Sequence, residues 1–107
     1  MPRKSEIMHK FLPLKTIEKF VTLMEKLGVS EVARSPRGFL TAYRKASGHS
    51  DRLTSDWWQS REAFIARHMA QLVQRGEPLY DKATGRPTRR HLALIAWAYS
   101  PATRLRS

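Results

Sequence analysis

The sequence predicts an all-α fold: one compact domain of four main helices, with a Pro/Gly-containing loop before the last of them. Two observations carry this. Apolar residues recur at three- and four-residue spacing in four stretches, which is the period of a helix face. Glycine or proline punctuates those stretches where helices start and stop. The size agrees, because 107 residues fit one domain that can bury roughly two-thirds of its unfolded surface. A hydrophobic fraction of 41% with three tryptophans is enough for a core. The division expected is an N-terminal arm over 1–12, a helical domain over 13–101 and a basic tail over 102–107.

Taken in order, Met1 to Leu12 mixes charged and apolar residues without a period, although Ile7, Met8 and Phe11 could share a face. Pro13 suits a helix start. Leu14 to Leu27 is then amphipathic, with Ile17, Phe20, Val21, Met24 and Leu27 on one face. Its outer face mixes lysines with glutamates and reads as solvated. Gly28 is a good stop. Ser30 could cap a short turn through Ala33. Ser35-Pro36 pairs a cap residue with proline, which predicts a helix to about Ser47, ended by Gly48.

Thr54, Ser55 and Asp56 offer caps for the longest helix, which reaches about Gln74 or Arg75 before Gly76. Trp57, Phe64, Ile65 and Leu72 form an aromatic-aliphatic stripe with Arg61 and His68 in its middle. Ala63, Ala66, Ala70 and Val73 make a second, small-residue face. Two packable faces predict two neighbours for this helix. Glu77 to Pro87 is the one long non-helical stretch, in which Leu79-Tyr80 could pair briefly across the Asp81 to Gly85 turn. Thr88 suits an N-cap for a helix running to Tyr99, stopped by Ser100-Pro101. That last helix is apolar nearly all round, which predicts a central, buried position.

Its start is electrostatically unusual. Helix N-termini carry partial positive charge and favour acids, yet Arg86, Arg89 and Arg90 crowd this one with His91 beside them. That arrangement makes sense if an anion binds; the alternative is arginines that are solvated or cap a neighbouring loop's carbonyls. A second candidate is the outward face of the Ser35–Ser47 helix, where Arg37, Arg44 and Lys45 stand without an acid. An ordinary solvated face is an equal reading. Arg61 has two readings as well. It is either buried and paired, with Glu31, Asp51 or Asp81 as partner, because an unpaired buried charge is too costly. Or it meets phosphate in a groove where Trp57 or Trp58 stacks on a base. His68 reads as a hydrogen-bonded core histidine.

Lys and Arg number 20 against 9 acids, a net charge of +11. That balance points to a polyanionic partner, usually nucleic acid. The absence of cysteine excludes disulfides and thiolate metal sites. No cofactor or metal is expected. No apolar run reaches a membrane span of ~18 residues, so an intracellular, cytoplasmic protein is expected, with its oligomeric state open.

Three stretches carry a resemblance. Val32-Ala33-Arg34-Ser35-Pro36-Arg37-Gly38-Phe39-Leu40, Arg61-Glu62-Ala63-Phe64-Ile65-Ala66-Arg67-His68-Met69-Ala70-Gln71 and Pro87-Thr88-Arg89-Arg90-His91-Leu92-Ala93-Leu94-Ile95-Ala96-Trp97-Ala98-Tyr99-Ser100-Pro101 together resemble a small basic domain of unknown function from phages, giant viruses and some bacteria. The last stretch is the most specific. The resemblance implies a phage or viral setting and no particular activity, and makes residues 1–31 an addition.

The function expected is nucleic-acid binding, with double-stranded DNA favoured over RNA, through phosphate contacts and with little sign of sequence specificity. The candidate contacts are Arg86, Arg89, Arg90, His91, Arg37, Arg44, Lys45 and Arg61. The alternative is an interaction module, an inhibitor or adaptor gripping an acidic protein surface through arginines and aromatic anchors. No catalytic constellation is evident, because the acids are scattered and a metal-dependent nuclease needs them clustered.

Overall fold

The computed structural model describes residues 9–102 and Leu105. The arm up to Met8 and most of the basic tail lie outside the described residues. Helix α1 spans Leu14–Leu27, α2 is a single turn over Glu31–Arg34, α3 spans Phe39–Lys45, α4 spans Ser55–Arg75 and α5 spans Arg89–Ala96. A 3-10 turn at Ser50–Arg52 joins α3 to α4. The four main helices of the all-α domain are α1, α3, α4 and α5. One isolated antiparallel bridge, Tyr80 to Pro87, closes the loop before α5.

Helix α5 is the centre. His91, Leu92, Leu94, Ile95 and Ala96 are all buried, and α5 packs on both α1 and α4. Helix α1 supplies Ile17, Phe20 and Met24 to the same core. The domain therefore includes α1 as an integral wall. Segment His9–Leu12 is part of it too. Leu12 N donates to the Ala98 carbonyl at 2.7 Å, the Tyr43 hydroxyl donates to the Leu12 carbonyl at 2.9 Å, and Phe11 packs among Phe39, Tyr43 and Trp58.

Local signals set most ends. Gly28 and Gly76 are left-handed at φ 66° and 62° and close α1 and α4. Thr54 and Thr88 accept the Trp57 and His91 amides, each at 3.4 Å, as N-caps. Helix α3 begins later than Ser35-Pro36 predicts. Ser35 Oγ donates to the Val32 carbonyl at 2.6 Å instead of capping, so residues 36–38 turn and Gly38 becomes the N-cap. Ser30 does not cap α2 with its side chain either; it sits at φ 61° with its hydroxyl unbonded among the described residues. Helix α5 stops at Ala96, three residues short of Tyr99. Ala98 is left-handed at φ 62°, and the Trp97 and Ala98 carbonyls accept from Arg61.

Helix α4 has one packed face. Trp58, Arg61 and Ile65 are buried, while Ala63, Ala66 and Ala70 are exposed and Val73 is 72% exposed. The second neighbour expected for the alanine face is absent among the described residues. Small side chains leave little apolar area in water there, and alanine favours the helix on its own.

Candidate nucleic-acid interface

The loop before α5 is built from its own turn. Asp81 Oδ1 accepts the amides of Ala83 and Thr84 at 2.8 and 3.1 Å, and Asp81 N donates to the Arg86 carbonyl at 2.8 Å. Gly85 is left-handed at φ 73°, a conformation open to glycine without strain. Tyr80 meets the His91 ring edge-on at 5.2 Å. This frame presents Arg86 on one side of the domain and Arg89 with Arg90 on another. The three arginines expected as one phosphate site are therefore divided between two surfaces.

Arg86 is exposed and lines a groove of about 310 Å³ with Lys19, Thr22, Lys26 and an apolar floor of Phe20, Leu23 and Pro87. No acid lines this groove among the described residues. Helix α1 explains why. Lys15, Lys19, Thr22 and Lys26 follow an i, i+4, i+7, i+11 stripe, so they share one face. Glu18 and Glu25 lie around the helix toward α3, where Glu18 pairs with Arg44 at 2.6 Å and both acids hold the Arg44 guanidinium more strongly protonated. The even charge mixture read from α1 is thus segregated in three dimensions. Lys19 and Lys26 are candidate residues that sequence reasoning missed; their spacing was the signal.

Arg89 is exposed, and its Nη1 donates to the Leu27 carbonyl at the C-terminus of α1, where a cation complements the helix dipole. Arg90 is paired. Its Nε and Nη2 fork onto Glu77 at 2.7 and 3.3 Å, and its Nη1 donates to His68 Nδ1 at 2.8 Å. Glu77 is accordingly held below the usual carboxylate range by the Arg90 hydrogen bond. Burial, then Arg90 and Arg67, push His68 down, which suits a neutral ring accepting at Nδ1. The α5 start has an acid after all, brought by the fold from Glu77.

Two candidate contacts are corrected. His91 is fully buried. Its Nδ1 donates to the Leu79 carbonyl at 2.8 Å and its Nε2 accepts from Ser100 Oγ at 2.7 Å; burial lowers its pKa. It is a core tether, out of reach of a polyanion. Arg61 is likewise fully buried. It donates to the carbonyls of Trp97, His9, Lys10 and Ala98 at 2.7–3.0 Å, and reaches Glu62 at 3.4 Å. Its guanidinium carbon sits 3.7 Å over the Phe11 ring. Its partners are main-chain carbonyls and the neighbouring Glu62, not Glu31, Asp51 or Asp81. Burial lowers its pKa to about 10, so it stays charged at neutral pH.

The α3 face is also reduced. Arg37 lies in the turn before α3 and does not share its face. Arg44 forks onto Glu18, and Lys45 remains exposed beside it. Trp57 and Trp58 belong to the aromatic core, Trp57 against Phe39 and Trp97, and Trp58 donating to the Ser50 carbonyl at 3.1 Å.

Among the described residues there is no group of three or more His, Asp or Glu side chains that could hold a metal ion, and no helix long and apolar enough to cross a membrane. No family model matches the chain, and no curated protein matches it.

Proposed function

We propose that this protein binds nucleic acid, double-stranded DNA foremost, through the phosphate backbone along the α1–Arg86 groove, inside the cell. The observation that carries the reading is the one-sided charge of that groove: Lys19, Lys26 and Arg86 converge on it while the acids of α1 engage Arg44. Phosphate contacts of this kind need no base recognition and release counterions on binding. The test is a salt series with a duplex, a matching single strand and an RNA. Steep salt dependence with preference for the duplex is expected. Lys19→Ala, Lys26→Ala and Arg86→Ala together should flatten the slope of log affinity against log salt by about 2–3, because each contact contributes about 0.9.

The second reading is a protein-interaction module in a phage or viral setting. The apolar floor of Phe20, Leu23 and Pro87 beneath three cations suits an acidic amphipathic segment. Binding that survives several-fold higher salt would select this reading over the first.

A further inference from the structure

Of the hairpin end before α5, only Arg86 lines the α1 groove. The rest of that end has no role yet. Beyond the Tyr80–Pro87 bridge, residues 81–86 are all exposed. A Cβ placed on Gly85 would meet nothing within 4 Å, so the tip stands clear of the domain. It is nonetheless firmly built. Asp81 N donates to the Arg86 carbonyl and Gly85 N to the Asp81 carbonyl, both at 2.8 Å. Arg86 N donates to Thr84 Oγ1 at 3.2 Å. The Asp81 carboxylate is engaged by the Ala83 and Thr84 amides. Lys82 and Arg86, one on each arm, are the cations of this end.

Dimensions decide what the hairpin fits. Its tip is Ala83, Thr84 and Gly85, side chains that add little to the ~5 Å between two paired chains. Up to three residues per arm stand beyond the bridge, a reach of about 7–10 Å. The minor groove of B-DNA is ~6 Å wide and ~7.5 Å deep. Helix α1 forms the opposite wall of the groove that Arg86 lines. A protein groove that seats one phosphate strand puts its two walls into the two DNA grooves flanking that strand. A helix with its side chains is about 10–12 Å across, which suits only the major groove at ~12 Å. The hairpin is the wall left for the minor groove, whose negative potential favours inserted arginine and lysine.

We propose that the hairpin end over 81–86 enters the DNA minor groove, with Lys82 and Arg86 toward the phosphates of opposite strands and α1 on the major-groove side of the seated strand. The proposal rests on the nucleic-acid reading above and adds which groove is occupied. Access to the groove, and not charge alone, then governs binding.

The test is fluorescence anisotropy of a labelled A·T-rich duplex, free and saturated with netropsin, a cationic ligand that fills the A·T minor groove. Magnesium at equal charge sets the purely electrostatic loss. Netropsin should weaken binding about tenfold or more beyond that loss. A chain with 82–85 replaced by Asn-Gly, a two-residue turn that closes paired strands, should bind more weakly and lose its sensitivity to netropsin. Lys82→Gln, at an exposed position outside the α1 groove, should lower the slope of log affinity against log salt by about 0.9. Circular dichroism checks that both variants keep the fold. Duplex binding that is indifferent to netropsin overturns the proposal and leaves the phosphate reading standing, as does a shortened hairpin no less sensitive to netropsin than the parent. No binding to the duplex at low salt overturns both.

Discussion

Arg61 Nη2 donates to the carbonyl of Ala98 at 2.9 Å, across a separation of 37 residues. That carbonyl also accepts from Leu12 N at 2.7 Å, so one oxygen joins α4, the end of α5 and the N-terminal segment. A lysine could not reproduce this, because its ammonium lacks the planar fork. Replacing Arg61 with leucine removes the donor that holds the Trp97, His9 and Lys10 carbonyls together and one of the two donors at Ala98. We expect Arg61→Leu to destabilise by about 3–5 kcal/mol, and Arg61→Lys to recover only part of it, read as the urea midpoint.

Gly38 is fixed by close approach. A Cβ there would overlap the carbonyl oxygens of Val32 and Ala33, which are backbone and cannot swing away. Gly38→Ala should cost about 1–3 kcal/mol and loosen the α2–α3 corner. Amide exchange in α3 would report it, and exchange matching the parent would contradict the crowding.

Thr88 serves twice. It accepts the His91 amide at 3.4 Å and donates its hydroxyl to the Pro78 carbonyl at 2.9 Å. Thr88→Ala should therefore cost about 0.5–2 kcal/mol, and Thr88→Ser should retain most of the stability in thermal unfolding.

Acid should weaken the fold from near neutrality. Burial lowers the pKa of both His91 and His68 below the ordinary 6.5. Above 6.5 both rings are neutral, folded or unfolded, and pH has no hold on them. Below it the unfolded chain takes up protons that the folded one refuses, so stability falls until the folded pKa values are passed. Glu77 acts lower down: its folded pKa lies below 4.5, and its contribution is lost as pH falls through that value. His91→Gln should flatten the first part of the profile, from pH 6.5 downward, in urea titrations at stepped pH. A profile as steep as the parent's would remove His91 from the account.

Much of the frame was legible because it is local. Gly28, Gly76, Thr54 and Thr88 act within a turn of their own position, and the apolar run from Leu92 to Ala96 announces its burial by itself. What escaped depends on distant neighbours. Arg90 meets Glu77 across a loop, Arg44 meets Glu18 across two helices, and Arg61 is occupied by carbonyls that no side-chain pattern marks. A basic residue in a list of charges looks the same whether it faces solvent or caps a helix. Only after Arg44, Arg61 and Arg90 are assigned to the interior or to an acid does the pair Lys19 and Lys26 stand out beside Arg86.

The helix at the centre of the core is also the last of the described helices in chain order. Until Leu92, Ile95 and Ala96 leave the ribosome, Ile17, Phe20 and Met24 of α1 lack the helix they chiefly pack on. At about 5–20 residues per second, the apolar face of α1 waits several seconds for its partner. The nascent chain must carry that face uncovered, which makes the interval before α5 emerges the period when a chaperone would engage it.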